Sequence, residues 1–227
     1  MHVIVPVKSF AHAKSRLSTV LDGALRRRLA RAMARSVLVE LAQVRAPGRI
    51  LVVTSEPEMV EIAQSLGIES LRDGGVGGLN GALAEAEGWL GPADDGIAVV
   101  CADLPFFRAA EFERMRAAHA ALGPTGVTIA SDHAGAGTNV RMVTGAGRFP
   151  YLYGARSARA HTLAARKAGA PHQLFASETF ALDLDTPADV ARVFQTAAGQ
   201  AGQAQAVRTI LSSRPGAPPE ISSHGKA

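Results

Sequence analysis

Two turns of this 227-residue chain carry carboxylates that could do chemistry. Cys101-Ala102-Asp103-Leu104-Pro105 places one after a strongly apolar run. Leu182-Asp183-Leu184-Asp185-Thr186-Pro187 places two more, one residue apart. Carboxylates fixed at element ends are poor packing material but good ligands for a hard cation. Taken alone, Asp103 is either a loop cap or a metal ligand. Taken with Asp183 and Asp185, the ligand reading is the better one, because converging carboxylates with no matching bases repel one another unless a cation is present. Mg²⁺ suits such a set, since it takes a few carboxylates plus waters and substrate phosphate oxygens. A tight zinc site is disfavoured by scattered histidines and a single cysteine, Cys101.

Basic and small residues supply the complementary chemistry. Lys8-Ser9-Phe10-Ala11-His12-Ala13-Lys14-Ser15-Arg16-Leu17 sets Lys8, Lys14 and Arg16 among small residues that let a backbone approach a phosphate. These cations are the candidate catalytic groups, although the segment also reads as a solvated basic loop, and no P-loop pattern is present. Asp73-Gly74-Gly75-Val76-Gly77-Gly78-Leu79-Asn80 permits backbone conformations closed to other residues. Gly78 and Asn80 there could meet a base or ribose, and Asn80 could equally cap the next helix. Gly135-Ala136-Gly137-Thr138-Asn139 offers a hydroxyl and an amide on a flexible turn. Gly154-Ala155-Arg156-Ser157 puts a hydroxyl at a helix start that would receive a phosphate or carboxylate, or would merely cap the helix. His161, four residues on, reads as a polar surface histidine rather than a catalytic base.

The elements that must position these groups alternate. Strands are predicted at Val3–Val7, Arg49–Thr54, Ile68–Leu71, Ile97–Cys101, Gly126–Ser131 and Asn139–Thr144, with short strands at Gln173–Phe175 and Thr179–Leu182. Helices are predicted over Asp22–Val44, from a Ser55 cap to Leu66, from Asn80 or Gly81 to Leu90, and over Ala109–Leu122, Arg156–Ala168 and Pro187–Thr196. Thr186 should cap the last, with Pro187 at its first position. This βα alternation predicts an α/β domain with a mostly parallel central sheet and helices on both faces. Ligands of such sheets bind beyond the carboxyl ends of the strands, where the loops above lie. Residues 1–196 should form the domain. Residues 197–227, rich in Ala, Gly, Gln, Ser and Pro, read as a flexible tail with a helical turn or two at Ala204–Leu211.

Composition narrows the partners. Residues 1–50 carry ten Lys or Arg against two acids, whereas the remainder is net acidic by four charges. A local basic zone suits a small polyanion such as a triphosphate and argues against nucleic acid. No apolar run reaches membrane-spanning length. The start Met1-His2-Val3-Ile4-Val5-Pro6-Val7 looks like a first strand rather than a signal peptide. The lone cysteine fits a reducing cytoplasm.

Val5-Pro6-Val7-Lys8, Ala13-Lys14-Ser15-Arg16-Leu17, Gly78-Leu79-Asn80, Ala102-Asp103-Leu104-Pro105, Gly137-Thr138-Asn139, Gly154–Ser157 with His161, and Leu182–Pro187 occur in an order that resembles the guanylyltransferases of coenzyme F420 biosynthesis. The resemblance covers about residues 1–195. It implies a single-domain nucleotidyltransferase fold of the glycosyltransferase-A type, assembled as a homodimer. It implies that GTP reacts with a phosphorylated three-carbon acid (2-phospho-L-lactate, phosphoenolpyruvate or 3-phospho-D-glycerate) and releases pyrophosphate. By position, Asp103, Asp183 and Asp185 would hold Mg²⁺, and Thr138, Gly154 and Ser157 the phospho-acid. Lys8, Lys14 and Arg16 would face the triphosphate, and Asn80 the guanine side. Ala158 stands where the family often has a bulky aromatic, and Cys101 directly precedes the Ala-Asp-Leu-Pro motif. Together they suggest a roomier acid pocket that admits 3-phospho-D-glycerate. The alternatives are another Mg²⁺-dependent nucleotidyltransferase, of the sugar-phosphate or molybdenum-cofactor type, whose usual glycine-rich start is missing here, or a non-catalytic nucleotide- or nucleic-acid-binding protein.

Overall fold

A computed structural model describes residues 1–10, 13–45, 47–145, 149–195 and 204–213. Seven strands form one sheet: β1 (His2–Val7), β2 (Ile50–Thr54), β3 (Glu69–Arg72), β4 (Ile97–Val100), β5 (Val127–Ser131), β6 (Thr138–Val143) and β7 (His172–Leu174). Their spatial order is β3-β2-β1-β4-β6-β5-β7. Every neighbouring pair is parallel except those made by β6, which runs antiparallel to both β4 and β5. The sheet is thus mostly parallel, as expected, with one reversed strand.

Side-chain alternation along the strands divides the core between two faces. Val3, Val5, Val52, Ala98, Val100, Val140 and Met142 face one layer. It is built by α1 (Gly23–Leu41), α2 (Pro57–Ser65) and α4 (Ala109–Ala120). Ile4, Leu51, Val53 and Val99 face Ala82, Leu83, Ala86 and Leu90 of α3 (Gly78–Leu90) on the other. The Asp22 carboxylate caps α1 by accepting from the Leu25 N–H at 2.8 Å. Pro57 opens α2 behind Glu56, not behind Ser55 as predicted.

The second half departs most from expectation. Phe180–Leu182 is not a strand. Ser177 accepts from the Phe180 N–H at 3.2 Å and caps a short helix, α6 (Glu178–Ala181). This seats Phe180 fully buried against Phe107, with ring centroids 5.2 Å apart. α5 (Ser157–Lys167) and α7 (Pro187–Gln195) form as predicted. At α7, Thr186 and Asp189 cap reciprocally: the Asp189 carboxylate accepts from the Thr186 N–H at 2.7 Å, and Thr186 Oγ1 accepts from the Asp189 N–H at 3.4 Å.

Packing also continues past residue 196. Ala204–Ser212 forms α8, and its Val207 and Leu211 are fully buried with Leu25, Leu29, Val190 and Val193. The remainder of the predicted tail lies outside the described residues. No described helix is long and apolar enough to cross a membrane.

His119 of α4 joins two segments of this core. Its ring nitrogens lie 2.9 Å from Thr128 Oγ1 and 2.8 Å from Thr144 Oγ1. Burial lowers its pKa from 6.5 to about 4. The unfolded chain therefore takes up a proton below pH 6.5 that the folded chain refuses until about pH 4. The resulting stability is complete above pH 6.5 and is lost as the pH falls towards 4. Urea denaturation at pH 7.5 and pH 4.5 should show that His119→Gln escapes roughly 2 to 3 kcal/mol of the acid loss seen in the unmutated chain. An unchanged difference between the two pH values would contradict this.

Candidate active site

The carboxyl ends of β1 and β4 open into a cleft of about 560 Å³ lined by Lys8, Lys14, Leu79, Cys101, Asp103 and Asp185, among others. The loop after β1 is held from beneath. The buried Glu56 carboxylate accepts from the Phe10 N–H at 2.9 Å and the Ser9 hydroxyl at 3.3 Å. Lys14 then adopts a left-handed backbone, φ 54°, uncommon for a side-chain-bearing residue. A 3₁₀ turn over Ser15–Leu17 follows and buries Leu17. Lys14 is turned inward as a result, its side chain only 8% exposed.

The Lys14 ammonium lies 2.7 Å from Asp103 Oδ2 and 2.7 Å from Asp185 Oδ1. Burial works against its charge, but the two carboxylates outweigh burial and raise its pKa. Burial likewise opposes ionisation of Asp103, and Lys14 outweighs it, holding that carboxyl below its ordinary value. Arg16, largely exposed, reaches only 3.9 Å from Asp185. Among the described residues Asp183 has no such cation. Burial first, then the charge of Asp103, raise its pKa from 3.8 to about 6, with smaller contributions from Asp185 and Asp132.

The three aspartates share a neighbourhood for a local reason. Leu182 and Leu184 are buried, while Asp183 and Asp185 are partly exposed. This period-two alternation in an extended segment sends leucines into the core shared with α8 and leaves the carboxylates partly exposed, with Asp185 in the cleft lining. The Leu184 N–H donates to the Asp103 carbonyl at 3.3 Å, joining the two acidic turns directly. Among the described residues, no three His, Cys, Asp or Glu side chains form a ready-made metal cluster. Lys14 supplies the positive charge between Asp103 and Asp185.

A second group of residues sits beside this one. Cys101 donates from its thiol to the Thr138 carbonyl at 3.4 Å. Thr138 Oγ1 lies 3.1 Å from His161 Nδ1, and His161 Nε2 accepts from the Leu152 N–H at 3.0 Å. Gly154, at φ 143°, occupies a conformation that favours glycine. Ser157 opens α5, buried, and its N–H donates to the Gly154 carbonyl at 3.2 Å.

The family described as "Guanylyl transferase CofC like" matches residues 1–211. The chain belongs to this family. It is 36% identical over 193 residues to a phosphoenolpyruvate guanylyltransferase from Rubrobacter xylanophilus, covering 84% of this chain and 91% of that protein. It is 30% identical over 190 residues to a 2-phospho-L-lactate guanylyltransferase from Methanothermobacter thermautotrophicus, covering 84% and 82%. A putative nucleotide-diphospho-sugar transferase from Desulfovibrio desulfuricans shares the fold at a TM-score of 0.70 and 13% identity, covering 92% of this chain and 96% of the other.

In this CofC-like chain the structure gathers Lys8, Lys14, Asp103 and Asp185 at one cleft, with Asp183 and the exposed Arg16 beside them. Gly78 begins α3, and Leu79 lines the cleft. Asn80 lies inside the first turn of α3 rather than capping it. Its amide donates to the Tyr153 carbonyl at 3.1 Å and accepts from the Tyr153 N–H at 2.8 Å, so it ties α3 to the Gly154–Ser157 turn. Ala158 packs in the small core with Phe149 and Ala165. Ala158 also lines a separate cavity of about 360 Å³ with Ser131, Gly135 and Arg159, whereas Cys101 lines the cleft itself.

Two residues were not foreseen as structural parts of the site. Asp132 accepts from the Ala136 N–H at 2.8 Å and the Gly137 N–H at 2.7 Å, shaping the turn before Thr138. The Asp-x-x-x-[Ala-Gly] spacing carried a faint signal for this. His161 is 2% exposed, not a surface residue. Its position on the inward stripe with Ala158 and Ala165 was the available signal.

Proposed function

We propose that this protein transfers GMP from GTP to a phosphorylated three-carbon acid, releasing pyrophosphate, in coenzyme F420 biosynthesis; its relatives' names, phosphoenolpyruvate and 2-phospho-L-lactate guanylyltransferase, support the transfer. The observation that carries the reading is the Lys14 ammonium shared by Asp103 and Asp185 at the cleft mouth. That arrangement combines a cation for a triphosphate with carboxylates for a divalent ion. Asp183 fits the ion too, because its raised pKa marks a carboxylate short of positive charge. Asp103, Asp183 and Asp185 would hold Mg²⁺, which neutralises triphosphate charge when bound.

The protein's own residues do the remaining work by placement. The acid's phosphate oxygen, already ionised, attacks the α-phosphorus of GTP. A new P–O bond forms as the bond to the β-phosphate bridging oxygen breaks, and pyrophosphate leaves with the electron pair. No protein base is required. Lys8 and Lys14 face the triphosphate, Gly78 leaves room at the nucleoside side, and Asn80 fixes the two substrate regions relative to each other. Thr138, Gly154 and Ser157 orient the acid. Catalysis on this reading is in-line positioning with charge neutralisation. The protein would act in the cytoplasm as a homodimer, which sizing by light scattering tests.

The deciding experiment incubates the protein with each nucleoside triphosphate, Mg²⁺ and a panel of phospho-acids, then measures pyrophosphate. Release only with GTP, Mg²⁺ and an acid is expected, and phosphoenolpyruvate, 2-phospho-L-lactate and 3-phospho-D-glycerate are compared side by side. Release independent of the acid, or none, overturns the reading. Ser157→Ala should raise KM for the acid about tenfold, the loss expected for one hydrogen bond to a charged group, with KM for GTP unchanged. Steady-state kinetics with each substrate varied separately checks it.

A further inference from the structure

His161 is buried and both its nitrogens are engaged. Its proton can be located by elimination. A backbone N–H only donates, so the Leu152 amide requires a lone pair on His161 Nε2. A neutral imidazole carries one N–H, which therefore sits on Nδ1 and points at Thr138 Oγ1. Burial, assisted by the nearby Arg141, lowers the ring's pKa from 6.5 to about 3 and keeps it neutral. Tyr153 packs edge-on against the ring, with centroids 4.9 Å apart, which holds its plane.

The consequence falls on Thr138. Its oxygen accepts from His161, so its own hydroxyl proton is left to donate elsewhere. Among the described residues Thr138 Oγ1 has no other hydrogen-bond partner. A buried hydroxyl with an uncommitted proton is costly unless a ligand accepts it. We propose that His161 is a positioning residue for the acid substrate: fixed as the Nδ1–H tautomer by the Leu152 amide, it commits the Thr138 hydroxyl to donate to an anionic oxygen of the phospho-acid. This rests on the proposed function, specifically on Thr138 meeting the acid. His161 also holds Leu152, two residues before Gly154, so one ring sets both the donor on β6 and the turn that leads to Ser157.

Two substitutions separate these duties. In His161→Gln the side-chain amide reaches the Nε2 position and can still accept from Leu152, but it no longer donates to Thr138. In His161→Asn the amide reaches the Nδ1 position and can still donate to Thr138, but it loses Leu152. The positioning role predicts that H161Q raises KM for the acid about tenfold, as expected for a misdirected hydrogen bond to a charged group, whereas H161N raises it by less than about threefold. In both, kcat and KM for GTP should stay within about twofold of the parent. A purely structural anchor predicts the reverse order, which would overturn the assignment. On a Thr138→Val background H161Q should add nothing further, and additive losses would also overturn it.

The tautomer is read independently by nitrogen-15 NMR of the histidine side chains in the unmutated full chain. An Nδ1–H ring, unchanged between pH 8 and pH 5, is expected. An Nε2–H ring, or titration near pH 6.5, rejects the proposal even if the variants fold poorly. If the unmutated protein turns over no phospho-acid, the proposed function fails and takes the role of Thr138 with it, while the tautomer result stands on its own.

Discussion

Asp183→Asn and Asp103→Asn will each lower pyrophosphate release by about a thousandfold or more, and they will change stability in opposite directions. A thousandfold loss corresponds to about 4 kcal/mol of transition-state stabilisation, within what one charged group at a triphosphate supplies. The stability contrast follows from their different surroundings. Asp183 has its carboxyl pushed from 3.8 to about 6 by burial and by the charge of Asp103. The unfolded chain ionises this group as the pH rises through 3.8, and the folded chain does so only near 6. The native state thus loses stability across that window, and the penalty is full above it. An amide removes the penalty. In metal-free buffer at pH 7.5, Asp183→Asn should be more stable by about 1 kcal/mol, a figure reduced because the side chain is partly exposed and its charge is screened.

Asp103 behaves otherwise because Lys14 holds its carboxyl below the ordinary value. Its ionisation stabilises the fold above the unfolded pKa, and that contribution disappears in Asp103→Asn. Among the described residues the buried ammonium then keeps only Asp185 as a close partner. Urea denaturation in EDTA, combined with pyrophosphate assays in Mg²⁺, checks both halves. Equal destabilisation of the two variants would show that Asp183 is not short of positive charge. Retained turnover in either would remove it from the metal-binding role.

What could be read from the sequence tracks the range of the forces involved. The apolar runs of β1, β2 and β4 identify themselves because a buried parallel strand needs no polar face. The aspartates stood out because carboxylates beside buried leucines demand a reason. Phe180–Leu182 misled for an equally physical reason. The apolar triplet has strand-like composition, but one serine hydroxyl and the stacking of Phe180 on Phe107 favour a helical turn. The alternation of Leu182, Asp183, Leu184 and Asp185 was strand-like in truth, yet it operates in a segment that joins no sheet. His161 was misplaced, and the tie of Asn80 to Tyr153 was unforeseen, because their partners, Leu152 and Tyr153, lie in an irregular segment whose backbone groups have no sequence signature. Lys14 was visible as a cation but not as a buried one, since its inward turn depends on a left-handed backbone that lysine composition does not announce.

That inward turn makes Lys14→Met the more informative of the cation substitutions. Methionine keeps the length and apolar stem but leaves Asp103 and Asp185 without the charge they share at 2.7 Å. Losing one partner of a fully buried pair costs about 3 to 5 kcal/mol. Here Asp103 is 33% and Asp185 38% exposed, so about 2 kcal/mol is the better expectation, seen as a fall in Tm of several degrees in EDTA. Turnover should fall by at least about a hundredfold, because the triphosphate also loses a buried cation. The response to Mg²⁺ without nucleotide separates the two roles. In the parent, Lys14 already neutralises the carboxylates, so added Mg²⁺ should raise Tm little. In Lys14→Met the repelling carboxylates gain relief from the divalent ion, so Mg²⁺ should recover most of the lost Tm while activity stays low. If Mg²⁺ shifts parent and variant equally, Lys14 and the metal do not compete for the same carboxylates.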